Sequence, residues 1–267
     1  MDYLSELEQK SIYIMREAYA RERNCALLWS MGKDSTSMVW IARKAFLGTI
    51  PFPVIHIDTT YKFKEIYAFR DAYAKKWQLD LMISKNEAAL RDKTVSPHQE
   101  KFACCNALKT EALKQTVAQH GFKALLLAIR HDEHGIRAKE RFFSPRDDSF
   151  AWHYESQPAE VWDLYHAASA DGHHMRVHPM LHWTEVDIWR YVQRERLPVV
   201  PLYFSRRGTR FRSIGCECCC RGVASRARTV GQIVRELEHT REAERSGRAQ
   251  DKEDLYTMQK LRSLGYM

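Results

Sequence analysis

No apolar run in this 267-residue chain is long enough to cross a bilayer, which argues against a membrane-spanning protein. The opening residues Met1-Asp2-Tyr3-Leu4-Ser5-Glu6 lack the basic and apolar regions of a signal peptide, so the expected location is the cytoplasm. No low-complexity segment signals disorder, and 45% hydrophobic content is enough for one large domain or a domain with an appendage. The Walker spacing is missing as well, because Leu27, inside an apolar run, stands where that motif needs its first glycine. No Ser-His or Cys-His constellation suggests a nucleophile, and no cysteine follows Cys220. Seven cysteines in a reducing compartment are poor disulfide candidates. Six of them fall into two clusters, Cys104-Cys105 and Cys216 to Cys220, a pattern that favours metal or sulfur chemistry, while Cys25 fits a core strand.

What is present begins with Ser30-Met31-Gly32-Lys33-Asp34-Ser35, placed where the apolar run Cys25-Ala26-Leu27-Leu28-Trp29 ends and a helical pattern starts. A strand that turns abruptly into a helix offers unpaired amides and a positive dipole end to a phosphate. Gly32 permits close approach of the backbone, and Lys33 and Ser35 add a cation and a hydroxyl. A polar turn capped by Asp34 or Ser35 is the plainer alternative. The net charge of +8 favours polyanionic partners, nucleotide or nucleic acid.

Apolar spacing predicts helices over 3–22, 34–47, 62–77 and 106–119, the last closed by Gly121, and strands over 25–30, 53–58, 79–83 and 124–128. Such alternation specifies a doubly wound parallel α/β sheet with ligands outside the carboxyl ends of its strands. Those ends carry the phosphate loop, Asp58-Thr59-Thr60, and Arg130-His131-Asp132-Glu133 followed by Arg137, Lys139 and Arg141. Acids able to hold magnesium beside several arginines suit ATP together with a second oxyanion. Alternatively Asp132, Glu133, Arg137 and Arg141 pair among themselves on a solvated loop. His173, His174 and His178 are expected on the surface or in loops. Trp183, Ile188, Trp189 and Val192 are expected in the core, on a helix opened by a Thr184-x-x-Asp187 capping box.

The six-residue loop resembles the pyrophosphate loop of the ATP pyrophosphatase superfamily. Trp29 to Ser35, His56-Ile57-Asp58-Thr59, Lys109 to Lys114, Arg137 to Arg141 and Trp183 to Trp189 together resemble the small subunit of sulfate adenylyltransferase, within the phosphoadenylyl-sulfate reductase family. The likeness covers nearly the whole chain. It implies an adenine nucleotide alpha hydrolase-like, Rossmann-like fold over residues 1–220 with a C-terminal arm over 221–267. It further implies ATP and magnesium held by Ser30, Gly32, Lys33, Asp34 and Ser35 with Asp58 and Thr59, and oxyanion contacts from Arg130, Arg137, Arg141, Arg210 and Arg212. Lys33, Asp34, Arg130 and Arg137 would carry the catalysis. Glu244-Arg245-Ser246-Gly247-Arg248 is similar to an arm that folds back near the nucleotide.

The cysteines depart from that small subunit. Cys104, Cys105, Cys216 and Cys219 resemble the Cys-Cys and C-x-x-C ligands of a 4Fe-4S cluster in assimilatory adenylyl-sulfate reductases. Four soft thiolates suit such a cluster, with zinc as the lesser alternative because only one C-x-x-C knuckle exists. Cys218 and Cys220 are left as sulfur carriers or packing residues. The reductases also need a thiol on the C-terminal arm, absent here. The combination therefore resembles the ATP pyrophosphatases of DNA phosphorothioation, which implies DNA as the adenylylated partner and a cysteine desulfurase as sulfur donor. Two other functions stay open: sulfate adenylylation with a GTPase partner, and a redox-sensing nucleic-acid-binding protein using the basic stretch Arg221 to Arg248.

Overall fold

Short runs whose side chains are all buried form the centre of the molecule: β1 (Cys25–Leu28), β2 (Val54–Ile57), β4 (Ala124–Leu126) and β6 (His174–Val177). With β3 (Leu81–Ser84) and β5 (Phe143–Arg146) they make a six-stranded sheet in the order β3-β2-β1-β4-β6-β5. All neighbours are parallel except β5, which runs antiparallel to β6 at the edge. The computed structural model describes residues 2–92, 95–98, 100–162, 164–165, 174–247 and 257–266. Among the described residues no helix is long and apolar enough to cross a membrane.

Alternation along the strands divides the core in two. Leu27, Val54, Leu126 and Val177 face a layer containing Ile14 and Met15 of α1 (Tyr3–Arg21), Met38 and Val39 of α2 (Lys33–Ala45), and Ile188 and Trp189 of α7 (Glu185–Glu195). Ala26, Leu28, Ile55, Ile57, Leu125 and Leu127 face Ala112, Leu113 and Val117 of α6 (Ala112–His120). Both faces are thus covered, as a parallel sheet requires. β1 lies between β2 and β4, so the chain leaves it in opposite directions and opens a crevice at the strands' carboxyl ends.

The remaining elements are α3 (Lys64–Lys76), α4 (Glu87–Asp92), α5 (Lys101–Cys105), β7 (Thr209–Arg210), β8 (Val223–Ala224), α8 (Val230–His239) and α9 (Thr257–Ser263). The helix expected from residue 106 begins earlier: α5 continues through a π-helical turn, Asn106–Glu111, into α6. That wider turn buries Leu108, Lys109 and Thr110, and such turns are frequent at functional sites. Gly121 closes α6 at φ 64°, and the Thr184–Asp187 capping box is present. Trp183, Ile188, Trp189 and Val192 are all buried, and the Trp183 indole donates to Ser11 Oγ at 2.9 Å.

Two expectations are corrected. β5 and β6 lie outside the predicted strands, and His174, expected on the surface or in a loop, is buried in β6; His178 lies in the irregular chain after β6 and is buried as well. Polar residues tolerate this because distant chain supplies partners: His178 Nδ1 donates to the Arg141 carbonyl at 2.7 Å, and Arg176 donates to the carbonyls of Tyr266, at 2.8 Å, and Gly265. His173 lies outside the described residues.

Candidate active site

At the crevice, α2 starts without a side-chain cap of its own, and the Lys33 amide donates instead to the Tyr203 hydroxyl oxygen at 2.8 Å. Met31, fully buried, adopts φ 59°, a left-handed conformation that is costly for its side chain and turns the loop sharply from strand to helix. A Cβ on Gly32 would come within 3.3 Å of Ser30 Oγ, so glycine keeps this turn tight. Ser35 Oγ ties it, standing 3.0 Å from Ser30 Oγ and accepting the Ser30 amide at 3.2 Å.

Charge is concentrated behind this loop. The Lys33 ammonium, 1% exposed, pairs with Asp34 at 3.1 Å and with Glu244. Arg130, 0% exposed, binds Asp132 at 2.9 Å and also reaches Asp34 and Glu244. Burial opposes the charged form of Lys33, but Glu244 and Glu185 together outweigh it and the pKa is raised. Burial likewise opposes the Glu244 carboxylate, and Arg130 and Lys33 prevail, lowering its pKa. Glu133 is held ionised against burial by Arg137 and by Arg245, whose guanidinium lies 3.1 Å away. Of the alternative seen in sequence, the Arg137–Glu133 pair is realised, but both side chains are largely buried and not on a solvated loop, while Asp132 pairs with Arg130 and not with Arg137 or Arg141.

Glu244 binds both Lys33 and Arg130, the two buried cations behind the loop. Replacing its charge by Glu244→Gln is expected to strengthen ATP binding by about tenfold, about 1.4 kcal/mol and close to one charge-assisted hydrogen bond. Calorimetric titration measures this directly, and an unchanged or weaker affinity would make Glu244 an aid to the nucleotide, not its competitor.

Around the cavity stand Ser30, Gly32, Lys33, Asp34 and Ser35, together with Glu133, Arg137 and Arg245. Sequence reasoning did not single out His56, Lys62, Tyr203 and Tyr266, which also line it, nor Lys109 as a site residue. Lys109 had a local signal, its place in the Lys-Thr-Glu segment, whereas Tyr266 had none. Other expected residues are committed elsewhere. Asp58 accepts the Thr60 amide and the Tyr67 hydroxyl, both at 2.8 Å, and Thr59 Oγ1 lies 3.2 Å from Cys216 Sγ. Arg210 binds Glu236 and Arg212 binds Glu185, each at 2.6 Å, and Arg141 is exposed. Arg248 lies outside the described residues.

Cys104, Cys105, Cys216 and Cys219 are all buried, Cys218 is exposed, and Cys220 Sγ accepts the Gly215 amide at 3.1 Å. Burial, with contributions from Cys105 and Cys216, pushes the Cys104 thiol up to about 12, so the two cysteine segments feel one another's charge. Lys109 Nζ lies 3.5 Å from Cys105 Sγ and 3.3 Å from the Tyr266 hydroxyl, joining the thiols to the cavity wall. Among the described residues, no group of three or more His, Cys, Asp or Glu side chains stands in metal-holding geometry.

Residues 24–222 match the phosphoadenosine phosphosulfate reductase domain. The chain is 39% identical to sulfate adenylyltransferase subunit 2 of Myxococcus xanthus over 99% of its own length and 96% of that protein's. It is 38% identical to the Nocardia farcinica protein of the same name over 100% and 96%. Among solved structures it superposes on phosphoadenylyl-sulfate reductase from Candida auris with a TM-score of 0.54 at 15% identity, covering 81% of this chain and 96% of that one. It also superposes on Candida glabrata FMN adenylyltransferase with a TM-score of 0.57 at 17% identity, covering 99% and 84%. These two share its fold, an adenine nucleotide alpha hydrolase-like α/β sheet.

Proposed function

The chain belongs to the phosphoadenosine phosphosulfate reductase domain family and, within it, groups with proteins named sulfate adenylyltransferase subunit 2; from that premise we propose that it transfers the adenylyl group of ATP to sulfate. It is an adenylyl-transferring enzyme of sulfur metabolism. The observation that carries this reading is the buried pair Lys33 and Arg130 behind a strand-to-helix loop, in a chain that matches those relatives from end to end. Their name, subunit 2, supports a further subunit as partner.

An oxygen of sulfate forms a bond to the α-phosphorus as the bond to the bridging oxygen of the β-phosphate breaks, and pyrophosphate leaves with the electron pair. Loop amides, Lys33 and Arg130 offset the charge that develops on it. Of the two cavity acids, Glu133 is held between Arg137 and Arg245, so Asp34 is the one that would hold magnesium, which would further neutralise the charge on pyrophosphate. Sulfate is already ionised, so no base is needed. His56 fits that requirement: burial lowers its pKa to about 3, and its Nδ1 donates to the Trp29 carbonyl at 3.2 Å, leaving a neutral ring.

A second reading, adenylylation of a DNA phosphate for sulfur insertion supplied by a cysteine desulfurase, draws its support from the buried thiols. Their soft donors suit a 4Fe-4S cluster on Cys104, Cys105, Cys216 and Cys219. The test incubates the full chain, alone and together with the companion subunit of its relatives and GTP, with ATP, magnesium and either sulfate or duplex DNA, and measures pyrophosphate. Sulfate-dependent release is expected, release with DNA alone would favour the second reading, and no release with either acceptor in the presence of the companion subunit would sink both. On protein purified without oxygen, a cluster predicts iron and acid-labile sulfide that vanish in Cys104→Ser and Cys219→Ser. Iron-free wild type would remove the cluster.

A further inference from the structure

Seven arginines lie between residues 205 and 228 against one acid, Glu217. Arg210 and Arg212 are buried and paired with Glu236 and Glu185. Arg206, Arg207, Arg221, Arg226 and Arg228 are exposed, and none of the five is ion-paired with another described residue.

The backbone gathers them onto one small ribbon. β7 pairs antiparallel with β8 through Thr209–Ala224 and Arg210–Val223. Arg206 and Thr209 exchange backbone hydrogen bonds of 2.8 and 3.1 Å around Arg207 at φ 51° and Gly208 at φ 84°. Two successive positive φ values mark the tight hairpin turn whose twist matches its strands, and Gly208 supplies the second at no steric cost. The Ser205 amide donates to the Ala227 carbonyl at 2.7 Å and the Ser225 amide to Gly208 at 2.9 Å, bringing Arg206 beside Arg226. Ser225 and Ala227 are buried while Ala224, Arg226 and Arg228 are exposed, the alternation of a strand with one outward face. Past Arg212 the chain runs directly into Ser213, Ile214 and Gly215, which line the cavity.

We propose that this ribbon docks the phosphate backbone of a nucleic acid beside the mouth of the active-site cavity. Guanidinium forks match phosphate oxygens in pairs, and a hairpin held by backbone hydrogen bonds presents them with little conformational entropy to lose. Of the large apolar side chains that are exposed, none falls between residues 205 and 228, so the ribbon lacks the apolar centre that a protein partner would bury. Recognition here is of backbone charge, independent of base sequence and of which oxyanion is adenylylated in the cavity.

The full chain is titrated without ATP into a fluorescein-labelled DNA duplex of about 20 base pairs at several KCl concentrations, following anisotropy. With four or five phosphates neutralised, log K is expected to fall against log salt with a slope of about −4. The quadruple variant Arg206→Ala, Arg207→Ala, Arg226→Ala, Arg228→Ala should flatten that slope by about 3 and weaken binding at least about tenfold, with melting temperature and ATP-dependent pyrophosphate release unchanged. Absence of binding at the lowest salt, or equal binding by the variant, overturns the proposal. So does competition by polyglutamate equal to that by DNA per unit charge, which would assign the ribbon to an acidic protein. Because binding is read without ATP, a failed adenylylation assay leaves this result intact.

Discussion

Lys33→Ala is expected to lower ATP-dependent pyrophosphate release by at least about a hundredfold, the usual cost of removing one preorganised group that stabilises transition-state charge. Its ammonium is 1% exposed, sits at the first position of α2, and faces a cavity in which Asp34 and Glu133 are the acids. In so dry a place a fixed positive charge interacts strongly with a phosphate and needs no reorganisation when pyrophosphate departs. The variant also deprives Glu244 of one of its two basic partners among the described residues, so some loss of stability accompanies the loss of rate. Combining Lys33→Ala with Glu244→Gln separates the two: stability should recover while the rate stays low. A coupled pyrophosphate assay beside thermal melting decides the point. A rate within tenfold of wild type would remove Lys33 from the catalytic machinery.

The largest effect on stability is expected at Glu140. Its carboxylate is fully buried, accepts from Arg146 at 3.0 Å, is ion-paired with Arg262, and lies 3.8 Å from the His178 ring. Both guanidiniums stack over Trp152, at 5.2 and 5.7 Å from its ring centre. Arg176, also fully buried, relies on carbonyls alone among the partners described above. Even with Glu140 present, burial pulls Arg146 and Arg262 down to about 9. Glu140→Ala leaves these cations with no carboxylate between them, a change that costs about 3–5 kcal/mol. For a chain of this size the melting temperature should fall by about 6–20 °C. Because Arg262 belongs to α9, hydrogen exchange at residues 260–266 should quicken in the same variant. A fall of under about 3 °C would show that the cluster is balanced by another group.

The elements legible in sequence are those whose signals are local. Apolar periodicity marked α1, α2 and the strands β1 to β4, and the Thr184–Asp187 box marked the start of α7. The strand-to-helix loop at Ser30–Ser35 was legible because a loop between a buried strand and a helix N-terminus is specified within six residues. β6 escaped notice because His174 and Arg176 make it polar, and for Arg176 the carbonyls of Gly265 and Tyr266 render that polarity tolerable inside the protein.

The sequence by itself thus determined the doubly wound sheet, the strand-to-helix loop at its switch point and the excess of positive charge, all properties of neighbouring residues or of composition. Tertiary structure alone decided which charges meet. Glu244 reaches Lys33 across 211 positions, Tyr266 reaches Lys109 across 157, and Thr59 meets Cys216 across 157. It also paired Arg210 and Arg212 with acids while leaving Arg206 and Arg226 exposed on the same ribbon. The physical reason is that ion pairs depend on distance in space, which the path of the chain sets, whereas periodicity and capping depend on distance along it.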